Sequence, residues 1–181
     1  MENLQEEIEN KIIDHITEEA GDRLVVFKPQ NNSEGTDLVV AKKGLYESGE
    51  KKGKKKSIIA KIQIFGSFSK QQAKEVFISV NGQIKQSENS IFKKDIDTSK
   101  FGSKKDIYLI FVFFDVVKQD IEDFLCFMTL DNFMKIADKS GNKDILKFES
   151  FLKPEKKDKY SKFLINKKAL SRDLFNIISK R

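Results

Sequence analysis

Cysteine and histidine are all but missing from this chain of 181 residues: Cys126 and His15 are the only ones. A lone cysteine excludes an intramolecular disulfide, and one histidine with one cysteine cannot assemble a zinc cluster. The expected setting is therefore reducing and cytoplasmic. Arginine stands only at positions 23, 172 and 181, which argues against dense bidentate clamping of phosphates. The longest apolar run, 107–114, falls far short of the roughly 20 residues that cross a bilayer, so no membrane partner is expected. The first residues are acidic and helix-forming, not basic and then apolar, so no signal peptide is expected either.

What is present suits a packed domain. Apolar residues make up 39% of the chain, with 16 Phe among them. At this length roughly 70% of the unfolded surface can be buried on folding. One domain over residues 1–181 is the expectation. Charged residues make up 34%, with a formal net charge of +6 carried almost entirely by lysine. Such an excess suits a polyanion such as nucleic acid; the same lysines also serve plain solubility. The sequence is silent on oligomeric state.

Leu4, Ile8, Ile12, Ile13, Ile16 and Ala20 recur at helical spacing and form one apolar stripe, which Gly21 closes. Strands are predicted at 24–27, 37–41 and 58–65. Between the last two lies a loop with Lys42, Lys43, Lys51, Lys52, Lys54, Lys55 and Lys56. Its tip, Lys51 to Lys56, is the candidate nucleic-acid contact, a weak signal beside the plainer reading of a solvated loop. Residues 67–82 mix helical and strand preferences, and 87–101 predict a surface helix or loop. The run at 107–114 is apolar throughout, as expected of a central strand covered on both faces by helices. A strand at 123–128, a short helix at 130–137, edge strands at 145–152 and 162–165, and a final helix at 170–178 complete a mixed α/β pattern.

Three residues suggest chemistry. Glu9 borders the apolar stripe of the first helix, Asp37 opens a strand after Glu34-Gly35-Thr36, and Gln63 lies in the next strand between Ile62 and Ile64. On a strand the side-chain period of two places Lys61, Gln63 and Phe65 on one face. His15, Cys126 and Glu149 read as structural or exposed positions. The phenylalanines at 111, 113, 114, 124 and 127 read as core.

In this order of elements, Glu9, Asp37 and Gln63-Ile64-Phe65 resemble the acidic helix position, the strand-opening Asp and the Glu/Gln-x-Lys of the PD-(D/E)XK nuclease superfamily. More particularly, together with 108–115 and 160–165, the chain is similar to a group of small proteins within it. The resemblance implies a restriction-endonuclease-like mixed β-sheet flanked by helices. It also implies Mg²⁺ held by Asp37 and Gln63, with Glu9 assisting through water, and hydrolysis of DNA phosphodiesters. Phe65 stands where the family has its lysine and can supply neither proton nor charge. Lys61, on the same face, is the candidate replacement, since lysine migration occurs in the superfamily. The alternative is a catalytically inactive module of the same fold that binds nucleic acid or a protein partner.

Overall fold

The computed structural model describes residues 2–29, 35–43, 59–68, 91–101 and 107–180. Helix α1 spans Glu2–Ala20. Gly21 beyond it takes φ +51, a left-handed conformation that costs glycine no Cβ clash. Ile8, Ile12 and Ile16 are fully buried, as the four-residue stripe requires.

Strands β1 (Leu24–Phe27), β2 (Leu38–Lys42) and β3 (Ile59–Phe68) pair antiparallel in sequence order. After β4 (Phe92–Asp97), strand β5 (Ile107–Asp115) runs parallel to β3, and β6 (Asp120–Thr129) returns antiparallel to β5. Helix α2 (Leu130–Ile136) follows, its first turn capped by the Thr129 hydroxyl, which accepts from Asn132 N at 3.1 Å. Strands β7 (Asp138–Ser140), β8 (Asn142–Ser150) and β9 (Leu164–Asn166) precede the last helix, α3 (Leu170–Ser179). The strands form a mixed six-stranded sheet, β1-β2-β3-β5-β6-β9, and an antiparallel three-stranded sheet, β4-β8-β7.

All nine residues of β5 are buried, and their alternation divides the core in two. Tyr108, Ile110, Val112 and Phe114 join Ile62, Ile64 and the apolar stripes of α1 and α3 in one cluster. Leu109, Phe111 and Phe113 join Phe92, Phe133, Phe148 and Tyr160 in the other. The mixed sheet flanked by helices is thus present, with one departure from expectation. The second face of β5 is covered mainly by the small sheet, with α2 contributing Phe133, where helices were expected on both sides.

Other differences have local causes. Residues 92–97 form β4, not a surface helix or loop, because its partner β8 satisfies a backbone whose own sequence, Phe-Lys-Lys-Asp-Ile-Asp, buries only Phe92 and Ile96. The strand expected at 145–152 is the centre of the small sheet, not an edge. Residues 69–82, whose preference was ambiguous, lie outside the described residues. Cys126 is fully buried, and burial pushes its thiol well above the ordinary range, as befits a small core side chain. Glu149 is exposed on β8 and pairs with Lys93 at 2.9 Å.

Gly66 faces Ile8 of α1 across a tight contact. A Cβ added there would lie 2.2 Å from Ile8 Cδ1. Gly66→Ala is expected to destabilise the fold by about 1–3 kcal/mol in denaturant unfolding. Because Ile8→Val removes the overlapping atom, the double variant should be more stable than the two single effects added together.

Candidate functional site

The turn before β2 delivers Asp37 to β3. Gly35 takes φ +63, and a side chain there would press on the Phe101 ring at 3.1 Å, so both the turn and its packing demand glycine. The Asp37 N–H donates to Ile62 O at 2.8 Å, beginning the ladder just ahead of β2. Its carboxylate reaches one step further. Asp37 Oδ2 accepts from Ile64 N at 2.7 Å and from Gln63 Nε2 at 2.8 Å. The Ile64 N–H points to the edge of β3 where β2 has not yet started, so the carboxylate takes the place of a strand partner.

Gln5 completes the same edge. Its Nε2 donates to Ile64 O at 3.0 Å and to Glu9 Oε1 at 3.2 Å. Glu9 Oε2 lies 3.4 Å from Lys28 Nζ. The structure therefore joins Asp37 and Gln63 directly, and links Glu9 to them through Gln5 and the backbone of Ile64. Gln5 escaped the sequence reading, although its position one turn before Glu9 is the spacing at which helical side chains meet.

Lys61, Gln63 and Phe65 do share a face, opposite Ala60, Ile62 and Ile64, which face α1 and α3. Lys61 is half-buried and stands in register between Val39 and Ile107. Phe65 packs into the second core: its ring stacks on Phe111 at 5.1 Å and 17°. Gln63 Oε1 and Thr36 Oγ1 are buried with no hydrogen-bond partner among the described residues, a loss of roughly 1–3 kcal/mol for each such group.

Mg²⁺ requires several oxygen ligands in near-octahedral array. Here Gln63 turns its amide N–H, not its oxygen, toward Asp37, and Oδ2 already carries two donors. Glu9 is held by Gln5 and Lys28, the Ile64 carbonyl by Gln5, and Phe65 offers no donor. As arranged, these residues do not fit the ion. Among the described residues, no group of three or more His, Cys, Asp or Glu is placed to hold a metal.

The candidate nucleic-acid contacts Lys51, Lys52, Lys54, Lys55 and Lys56 lie outside the described residues. The start of that loop is turned toward the protein: Lys42 Nζ lies 5.2 Å from the centre of the Phe175 ring and Lys43 Nζ lies 2.9 Å from Asp22 Oδ1. No helix among the described residues is long and apolar enough to cross a membrane.

A second polar cluster ties α1 to the strand side. His15 Nε2 lies 3.1 Å from Asp120 Oδ1, while buried Lys167 donates to Asp120 Oδ2 at 2.6 Å and to Ile121 O at 2.9 Å. Burial pushes the Asp120 carboxyl up, but hydrogen bonds from Lys167, His15 and the Ile121 N–H outweigh it and hold it below the ordinary range. His15 is thus a half-buried structural residue. Its partners come from distant parts of the chain and left no local signal.

Compared with known proteins, the chain matches no family model, no curated protein and no solved structure.

Two outcomes follow from this geometry. Asp37→Ala strands the Ile64 N–H and is expected to lower stability by about 1–3 kcal/mol in urea without any divalent ion. A melting temperature that rises with MgCl₂ in the wild type but not in this variant would show instead that the carboxylate holds a metal. The lowered Asp120 carboxyl contributes stability above about pH 4 that is lost as pH falls through its folded value. Asp120→Asn should therefore flatten the acid limb of the stability profile, read from urea midpoints across that range.

Proposed function

We propose that this chain is a catalytically inactive module on a nuclease-like frame, and that it binds nucleic acid without cleaving it. The observation that carries the proposal is the pair of hydrogen bonds on Asp37 Oδ2. A carboxylate that closes a strand edge is engaged where a hydrolytic site would need it open to an ion or a water. Phe65 supports the same reading, since the position that would carry a lysine is given to aromatic packing against Phe111. The net charge of +6 and the preponderance of lysine favour a polyanion partner bound by charge, not by base-specific forks.

The competing reading is metal-dependent hydrolysis of DNA with Lys61 in place of the missing lysine. It draws on Lys61 and Gln63 sharing one face of β3.

Fluorescence anisotropy and a cleavage assay on the same labelled DNA separate the two. Binding is expected to weaken steeply between about 50 and 200 mM salt, with the DNA intact in Mg²⁺ or Mn²⁺. Cleavage that disappears in Asp37→Ala would establish the enzyme reading and overturn this one.

A further inference from the structure

The segment joining β8 to β9 is a shaped loop, not a slack connection. Asp158 organises it: its carboxylate accepts from Ser150 Oγ at 2.8 Å, Phe151 N at 3.2 Å and Tyr160 N at 2.8 Å, while its own N–H donates to Ser161 Oγ at 2.7 Å. Tyr160 anchors the loop from below. It is fully buried, its ring centre lies 4.3 Å from that of Phe148, and its hydroxyl donates to Lys147 O at 3.1 Å. With Asp158 engaged inside the loop, the side chains that reach solvent are dominated by Lys156, Lys157, Lys159 and Lys162, all exposed.

Between this loop and β6 lies a groove of about 540 Å³. Lys157, Lys159 and Lys162 line it with Phe124, Pro154 and Leu164, and Asp158 and Ser161, both engaged within the loop, complete the lining. Its volume falls in the range of small-ligand sites, roughly 300–1,000 Å³. The cationic and the apolar side chains of the lining ask for different things. The lysines suit phosphates, while half-buried Phe124 and Leu164 offer a surface that only an unpaired base can cover. A duplex hides its base faces in the stack. Lys159 Nζ lies 2.6 Å from Asp138 Oδ2, but both groups are exposed, and pairs of that kind are worth about 0–1 kcal/mol, so a phosphate can displace the carboxylate.

Building on the nucleic-acid reading above, we propose that this groove is a binding site for single-stranded nucleic acid. Phosphates lie along Lys157, Lys159 and Lys162, and a base rests on Phe124. The absence of arginine from the groove makes recognition a matter of charge and stacking, tolerant of base sequence.

Anisotropy with a short labelled oligothymidylate and a matched duplex tests this on the full chain. Lys157→Gln/Lys159→Gln/Lys162→Gln is expected to weaken single-strand binding by about tenfold or more. The slope of log K against log salt should fall by about two, since each phosphate contact on a single strand contributes about 0.7. The same change at Lys94, Lys100 and Lys143, which are exposed elsewhere, should alter affinity by less than about twofold. Phe124→Leu, which keeps an apolar side chain in place, should weaken the single strand by about tenfold and leave the duplex unchanged. Melting curves of all variants confirm that the fold is retained.

If the groove variant binds like the control variant, the groove is not the site, while the nucleic-acid reading stands. A wild-type chain that binds neither probe at low salt overturns that reading and the groove with it. An equal loss for duplex and single strand in Phe124→Leu overturns the stacking role.

Discussion

A strand with no solvent face has to be covered twice, and β5 imposes that requirement on everything around it. Its eight apolar residues divide by parity, the even ones toward α1 and α3, the odd ones toward the small sheet. Neither layer is optional. Removing the helices would expose Tyr108, Ile110 and Val112, and removing the small sheet would expose Leu109, Phe111 and Phe113. At about 1.5–3 kcal/mol per buried side chain, either loss is comparable with the net stability of an ordinary domain.

The same division explains why the candidate site takes the form it does. β3 lies beside β5 in register, so Gln63 sits opposite Leu109 and Phe65 opposite Phe111. Of the side chains on that face of β3, Phe65 joins the aromatic layer. Phe65 is one end of a run of rings that continues through Phe111, stacked at 3.6 Å on Phe148, and on to Tyr160. Lysine at position 65 would place a cation against that column. Gln63, next to it, meets Asp37 at the strand edge, and the pair closes the sheet just before β2 begins.

Much of this was visible in the sequence wherever one local rule sufficed. The isoleucine stripe of α1, the glycine that ends it, the unbroken apolar run of β5 and the shared face of Lys61, Gln63 and Phe65 all follow from periodicity. What was hidden depended on pairing at a distance. β4 reads as polar because only Phe92 and Ile96 face inward, and the strand exists through β8. Asp37 and Gln63 stand out by residue type and position, but the sequence carries no sign that the Gln63 amide donates to the Asp37 carboxylate. The Lys167–Asp120–His15 cluster joins two strand-side segments to a helix, and spacing carries no trace of it. The shape of the loop between β8 and β9 left no sequence signal, because the hydrogen bonds that form it converge on a single aspartate.

The parallel pairing of β3 with β5 also bears on how the chain folds. β1 with β2 and β5 with β6 close between segments near in sequence, whereas Ile62 meets Tyr108 only after the whole intervening chain has been gathered in. Loop closure of that span costs entropy before any contact repays it, so joining the two halves of the large sheet belongs late on the pathway. Until then β5 presents one bare edge and two greasy faces. During that interval the chain is most open to association with its own copies, and the strand that makes the native core possible is also its principal hazard during synthesis.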